Sequence, residues 1–120
     1  GCNACHTTTL MTGDQSHIAV LREQEIHPYT DLLLHDLGEG LSDQQNEDDA
    51  SGREWRTAPL WGIGLMQAVN GHQQLLHDGR ARGVEEAILW HAGEAKASRR
   101  AYLSLSEGQR QELLQFVDSL

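Results

Sequence analysis

Apolar residues recur at helical spacing in the last third of the chain. Val84, Ala87, Ile88 and His91 follow an i, i+3, i+4, i+7 pattern, which places them on one face of a helix. Gly93 follows this pattern, and glycine is a common residue just beyond a helix end. The sequence therefore predicts a short helix over 84–91.

Two further helices are predicted after Gly93, at 94–102 and from about 106 to the end of the chain. Ser106 and Gln109 have the spacing of a capping box, in which each side chain bonds to the backbone of the other residue. The final helix carries one apolar stripe, made of Leu113, Phe116, Val117 and Leu120.

The rest of the chain is predicted to be largely irregular. Residues 7–26 are rich in threonine and contain Gly13 and Asp14, so they predict a loop or a short extended segment. A short turn, capped by Thr30 or Asp31, is predicted to end at Gly38, and one or two helical turns are predicted over 60–69. No strand pair is predicted, so the expected fold class is all-α and loop-rich.

Composition narrows the classes of function. The chain has 120 residues, of which 38% are hydrophobic, and its formal net charge is −9. This length predicts one domain, 1–120, with a lean apolar core. An acidic chain without a basic face is unsuited to nucleic acid or to an anionic membrane surface. No apolar run approaches the roughly 18 residues that a membrane span needs.

Residues 38–54 form a separate, acidic and glycine-containing stretch. It includes Glu47, Asp48 and Asp49. We predict a solvated surface loop, in which the carboxylates serve solubility. Clustered carboxylates also suit calcium, but the spacing of an EF-hand is missing, so a calcium site is an unsupported alternative.

The two cysteines of the chain lie close together in the segment Cys2-Asn3-Ala4-Cys5-His6. This C-x-x-C-H spacing is the attachment signature of c-type haem. Two thiols at this spacing can add to the two vinyl groups of one porphyrin, and the histidine that follows can then bind the iron. The motif therefore predicts covalent haem c on Cys2 and Cys5, with His6 as an axial ligand.

Three other interpretations of the motif compete with haem. A thioredoxin-like pair would follow a strand in a βαβ unit, and we expect no such strand before Cys2. A zinc site lacks a second C-x-x-C, and His17 and His27 do not have finger spacing. A simple disulfide, in a haem-free binding or structural protein, is the third alternative.

A low-spin haem needs a second axial ligand, usually Met or His. Met11 is too close to His6 to reach the opposite face of a haem easily, whereas Met66 lies much further along the chain. His91 lies on the apolar face of a predicted helix, where an imidazole is costly to bury unless its nitrogens find partners. Met66 and His91 are therefore both candidates at this point.

Three ordered segments carry a family resemblance. Residues 56–62 (RTAPLWG), 76–81 (LHDGRA) and 84–88 (VEEAI) resemble the C-terminal haem domain of bacterial di-haem cytochrome c peroxidases. The whole chain is more similar to the related di-haem proteins known as thiol oxidoreductases or di-haem oxidoreductases, on the segments 27–36, 52–57 and 88–95. The resemblance implies a cytochrome c-like helical domain built around a covalent haem.

The resemblance also favours one axial ligand. In the peroxidases a methionine near the end of the helix after the His-Asp-Gly motif binds the iron of the electron-entry haem. That motif begins here at His77, and the matching ligand position is occupied by His91. Because a second imidazole generally lowers the reduction potential, the resemblance implies a low-spin, low-potential haem ligated by His6 and His91, with Met66 as the alternative.

Three further residues are candidates for contacts with the haem propionates. Arg56 and Arg80 carry guanidinium groups that can bind a carboxylate in a bidentate manner, and His77 belongs to the same turn as Arg80. The alternative for His77 to Arg80 is a tight turn with Gly79 at positive φ. His35, like the remaining histidines, is expected to be an ordinary polar residue.

These observations lead to three hypotheses of function. The first is an electron-transfer domain that exchanges electrons with a second haem, in an N-terminal domain, and with a small periplasmic donor or acceptor. The second is a peroxidase-type oxidoreductase whose catalysis occurs in that N-terminal domain. The third is a haem-free fragment. The chain shows no signal peptide, but attachment of haem c outside the cytoplasm implies a periplasmic protein, and we expect 1–120 to be the C-terminal part of a longer protein.

Overall fold

Four α-helices occur in the computed structural model, which describes residues 1–120. They are α1 (Met66–Asn70), α2 (Val84–Trp90), α3 (Lys96–Leu103) and α4 (Glu107–Asp118). The helix predicted over 84–91 is thus confirmed to within one residue, with His91 as its C-cap. The two helices predicted after Gly93 are confirmed as α3 and α4.

The capping box of α4 is confirmed. The Gln109 backbone N–H donates to Ser106 Oγ at 3.4 Å, and the Ser106 backbone N–H donates to Gln109 Oε1 at 3.0 Å. Of the predicted apolar stripe, Val117 is buried, whereas Phe116 is 49% exposed and packs edge-on against Tyr29. The helix packs against α2 and against the turn before α1.

The prediction of an all-α fold is wrong, because the structure contains two small antiparallel sheets. Strand β1 (Leu10–Met11) pairs with β2 (Glu25–Ile26), and β3 (Leu34–Asp36) pairs with β4 (Glu54–Arg56). In the second sheet His35 lies opposite Trp55. Such short strands cannot show an alternating pattern, so no local signal for them exists in the sequence.

Strand β3 lies within the segment for which the sequence predicts a short capped turn. The predicted capping bonds do form, because Thr30 Oγ1 accepts from the Leu32 N–H and Asp31 Oδ1 accepts from the Leu33 N–H. These bonds close local turns instead of starting a helix, because the chain then pairs with β4.

Short 3-10 turns account for much of the remaining structure. They lie at Cys2–Ala4, Ala19–Leu21, Glu39–Leu41, Ile63–Leu65 and Gly93–Ala95. The turn at Glu39–Leu41 anchors the predicted surface loop, because Leu41 is fully buried. The acidic residues that follow in 43–49 are exposed, as expected.

Few side chains are fully buried. The buried apolar side chains include Leu41, Ala87, Tyr102 and Val117, while Val20, Val69 and Trp61 are more than half exposed. None of the helices has the length and apolar character required to cross a membrane.

Candidate haem site

The position of His6 is fixed by a backbone turn and by a hydrogen bond from one nitrogen of its ring. The turn at Cys2–Ala4 directs the chain so that the His6 backbone N–H donates to the Cys2 carbonyl at 2.9 Å. The His6 ring donates from Nδ1 to the Tyr29 carbonyl, also at 2.9 Å. A carbonyl accepts only from a protonated nitrogen, so Nε2 is the nitrogen of the neutral ring that keeps a free lone pair.

His91 is held in the same way by helix α2. Its backbone N–H donates to the Ile88 carbonyl at 3.2 Å, which closes the helix end. Its ring donates from Nδ1 to the Ala87 carbonyl at 2.7 Å. Both histidines therefore have Nδ1 committed to a backbone carbonyl, which is how histidines that bind metals through Nε2 are usually oriented.

The two rings lie next to each other although they come from opposite ends of the sequence. Their centroids are 6.5 Å apart and their planes are inclined by 48°. A bond between a metal and an imidazole nitrogen is about 2 Å long, so two imidazoles on opposite sides of one metal would have centroids roughly 6.3 Å apart. The observed separation thus fits two axial ligands of one iron.

The protonation state of His6 suits ligation. Burial lowers the pKa of His6, and the nearby His91 also lowers it, against the opposing effect of the Tyr29 carbonyl. A lowered pKa favours the neutral imidazole, which is the form that binds metals.

The two cysteines precede His6 as free thiols. Cys2 is exposed and Cys5 is half-buried. Burial raises the pKa of the Cys5 thiol, and the negative charges of Asp31 and Glu94 raise it further. Two thiols in one turn beside a pair of tethered imidazoles are the donor set of a c-type haem, so the residues fit this group.

A second group of donor atoms adjoins Cys5. Its thiol sulfur and atoms of Asp31 and His35 all lie within 4.8 Å of one another. However, His35 Nε2 is 2.8 Å from Asp31 Oδ2, and its Nδ1 is 3.0 Å from Glu94 Oε2. Both ring nitrogens of His35 are thus engaged with carboxylates, which makes the group an ion-pair cluster with no free imidazole lone pair for a metal.

The other candidate ligand is Met66. It is the first residue of α1, which follows the turn that packs on α4. That packing includes a hydrogen bond from the Gly62 N–H to the Leu120 carbonyl at 2.6 Å. The structure thus places the ring of His91 next to that of His6, and it places Met66 directly after the turn that packs on α4.

The three residues predicted to contact propionates have protein partners. Arg56 Nη1 donates to the Leu32 carbonyl at 2.9 Å. Arg80 donates to Asp78 and to the Gly40 carbonyl at 2.6 Å each, and its guanidinium lies 4.9 Å from the ring centroid of Trp90. The interpretation of 77–80 as a tight turn agrees with Gly79, whose φ is +73°. The propionate contacts stay predictions.

His77 has a partner that the sequence does not indicate. Its ring stacks on that of Trp55, with the ring centroids 3.5 Å apart and 7° between the ring planes. A surface cavity along α2 and α4 is likewise unrelated to the motif, since its lining contains neither cysteine nor either of the paired histidines.

Sequence reasoning misses the cluster of Asp31, His35 and Glu94. The local pattern presents Asp31 only as a cap and His35 only as an ordinary polar residue. Hydrogen bonds to Glu94 and Asp31 raise the pKa of His35. Burial opposes ionisation of Asp31, but bonds from Leu33 and His35 outweigh it and lower the pKa of Asp31 to about 2.

Two histidines that are each fixed through Nδ1, beside a Cys-x-x-Cys turn, form the kind of site that is found in haem proteins. Comparison with protein families agrees with this class. The family model described as "Di-haem oxidoreductase, putative peroxidase" matches residues 1–120. The chain belongs to this di-haem oxidoreductase family. Neither the curated proteins nor the solved structures contain a match to it.

Proposed function

We propose that this chain binds one haem c through thioether bonds to Cys2 and Cys5, with His6 and His91 as the axial ligands, and that it transfers electrons. The observation that carries this proposal is the adjacent pair of imidazoles, with centroids 6.5 Å apart and each Nδ1 bonded to a backbone carbonyl.

The bound haem would supply a site for one-electron oxidation and reduction. The protein would hold this site by two neutral imidazoles, which leave no coordination position for a substrate. His6 and His91 thus suit electron transfer and not bond-making chemistry at the iron. Bis-imidazole ligation also generally gives a lower potential than ligation by a methionine such as Met66.

The family name implies two haems, whereas this chain contains a single C-x-x-C-H motif. We infer that the second haem belongs to another domain, which we expect to be N-terminal, and that the two haems exchange electrons. A small donor or acceptor protein in the periplasm would complete the route. The periplasmic location follows from the expected attachment of haem c outside the cytoplasm.

The family description favours a second candidate function, peroxidase-type oxidation by the whole protein. In this case the haem with an open coordination position would lie in the other domain, and residues 1–120 would deliver electrons to it. The two proposals differ in the fate of the electron and agree on the roles of His6 and His91.

The test is the absorption spectrum of the oxidised and the reduced protein, with a pyridine haemochrome. We expect the haemochrome of haem c, and its loss when Cys2 and Cys5 are both replaced by serine. We also expect a low-spin spectrum without the weak long-wavelength band of methionine ligation. A colourless protein from a host with haem-attachment machinery would support the haem-free alternative and overturn the proposal.

Substitution of the axial candidates separates His91 from Met66. His91→Met should raise the reduction potential, because a thioether replaces an imidazole. The matched control, Met66→Leu, should leave both the spectrum and the potential unchanged. The reverse pattern would transfer the ligand assignment to Met66.

A further inference from the structure

One short segment, residues 29–36, is bonded to the surroundings of both paired histidines. At its start, the Tyr29 carbonyl accepts the bond from His6 Nδ1 at 2.9 Å. The next residue, Thr30, donates from its backbone to the Thr7 carbonyl at 3.0 Å, so it also fixes the chain just after His6. Thr30 is fully buried, and its hydroxyl donates to the Thr57 carbonyl at 2.7 Å.

The other end of the segment is bonded to Glu94, which follows His91 closely in the chain. Glu94 Oε1 accepts from the Asp36 backbone N–H at 3.0 Å, and Glu94 Oε2 lies 3.0 Å from His35 Nδ1. The opposite ring nitrogen, His35 Nε2, lies 2.8 Å from Asp31 Oδ2. The imidazole of His35 therefore bridges two carboxylates. One belongs to Asp31, within residues 29–36, and the other belongs to Glu94, in the chain that follows His91.

The backbones also meet at this point. A Cβ atom on Gly93 would collide with the Asp36 carbonyl and would lie 2.8 Å from the Gly38 nitrogen. A Cβ atom on Gly38 would in turn lie 3.1 Å from the Gly93 nitrogen and 3.3 Å from the Ala92 Cβ. The chain that leaves His91 is thus pressed against the end of β3, and the bonds of Glu94 fix it there.

We propose that His35 and Glu94 are positioning residues, which hold the His91 side of the haem site at the correct distance from His6. This inference rests on the proposed function, because it assumes that His6 and His91 bind one iron. The ring of His91 is oriented from its own helix through the Ala87 carbonyl, but the position of that helix end relative to His6 depends on residues 29–36.

Loss of the Glu94 carboxylate should therefore loosen His91 without removing it. The bonds to Asp36 and His35 would be lost, while the bond from His91 Nδ1 to the Ala87 carbonyl would remain. The side chain of Glu94 is 58% exposed, so solvent weakens the ion pair and the effect should be moderate. A loosened ligand is displaced more readily by an external ligand.

The test is the binding of free imidazole and of carbon monoxide to the haem-loaded protein that contains residues 1–120. For Glu94→Ala we expect both ligands to displace His91 about three- to tenfold faster than in the wild type. A fraction of high-spin haem should also appear in the electron paramagnetic resonance spectrum. Glu94→Gln retains an acceptor for the Asp36 N–H, so its displacement rates should lie between those of Glu94→Ala and of the wild type.

The matched control is Glu86→Gln, which breaks the 3.0 Å ion pair with Arg82 near the start of α2, the helix that His91 caps. It should leave the ligand-binding rates and the spin state unchanged. Equal acceleration in Glu94→Ala and Glu86→Gln would show only general destabilisation around α2 and would overturn the inference. Thermal unfolding of each variant shows whether it is folded.

The result also distinguishes this inference from the proposed function. A wild-type protein without low-spin bis-imidazole haem would overturn both. A normal wild-type spectrum with no acceleration in Glu94→Ala or His35→Gln would overturn only the positioning role. If Glu94→Ala does not fold, His35→Gln provides the same measurement, because it removes the bridge to Asp31 and leaves the Asp36 bond to Glu94.

Discussion

The rings of Trp55 and His77 are stacked 3.5 Å apart and within 7° of parallel. The indole of Trp55 also donates from Nε1 to the carbonyl of buried Leu41 at 2.9 Å. The turn that begins at His77 is thus attached to strand β4 and, through Trp55, to the anchor of the acidic loop. This relationship gives His77 a packing role that differs from the propionate contact predicted from the sequence.

His77→Ala should lower the free energy of unfolding by about 1 kcal/mol, because stacked aromatic pairs contribute roughly that amount. The haem spectrum and the reduction potential should not change. Urea denaturation and potentiometry of the same sample are the measurements. His72→Ala is the control, since His72 is exposed and its resolved bond is a local one from the Gln74 N–H. A shift in potential for His77→Ala alone would favour the propionate role.

The helices could be predicted because their signals are local. The apolar spacing from Val84 to His91 and the capping box of Ser106 and Gln109 lie within a few turns of the chain, so no tertiary information is needed. The pairing of β3 with β4 could not be predicted in this way. It depends on a contact between two segments that the acidic loop separates, and each strand is too short to show a period.

The candidate site shows the same division. Cys2, Cys5 and His6 are recognised from one local motif, and His91 is selected through the resemblance to a family. The supports of these residues are contacts between distant parts of the chain, such as the Tyr29 carbonyl for His6. The bridge from His35 to Glu94 spans 59 residues and carries no motif, so only the folded structure reveals it.

Gly93→Ala should destabilise the protein by at least about 2 kcal/mol, because Gly93 has a φ of +51° and its Cβ would collide with the Asp36 carbonyl. The matched control is Gly108→Ala within α4, where a Cβ has open space. Alanine there should stabilise the protein by about 0.5 kcal/mol, since it favours the helix. Chemical denaturation of both variants is the test, and a Gly93→Ala protein as stable as the wild type would contradict the close approach of Gly93 to β3.

The cluster of Asp31, His35 and Glu94 should give a defined pH window of stability. The bonds to Glu94 and Asp31 raise the pKa of His35. Its contribution to the stability of the fold is therefore complete below its pKa of 6.5 in the unfolded chain, and it is lost as the pH rises through the raised pKa. The pKa of Asp31 is about 2, so its contribution is complete above 3.8 and is lost as the pH falls towards 2. The contributions of Asp31 and His35 to stability are therefore both complete between about pH 4 and 6.5.

The variant His35→Gln tests this window. Its melting temperature should be lower than that of the wild type between about pH 4 and 6.5, and the difference should shrink as the pH rises above the pKa of His35. A difference that is independent of pH would indicate lost packing and not a lost charge interaction. His27→Gln is the control, because His27 is 58% exposed and lies 3.7 Å from its nearest carboxylate, that of Glu25.

Tyr102 should resist ionisation at alkaline pH. It is 2% exposed, and its hydroxyl donates to Glu85 Oε1 at 2.8 Å. Burial and this bond raise the pKa of Tyr102 to about 12. Because the pKa of Tyr102 is raised in the folded state, its contribution to the stability of the fold is complete below its pKa of 10.0 in the unfolded chain. This contribution is lost as the pH rises towards 12.

Ultraviolet titration of the two tyrosines in the haem-free chain measures this effect. One tyrosine, Tyr102, should titrate only near pH 12 or when the protein unfolds, and Tyr102→Phe should remove this late step. The same variant should lower the free energy of unfolding at neutral pH by about 1 kcal/mol, because the exposed Glu85 carboxylate regains water when the bond is lost. Loss of the late step in Tyr29→Phe instead would show that the buried, hydrogen-bonded phenol is not Tyr102.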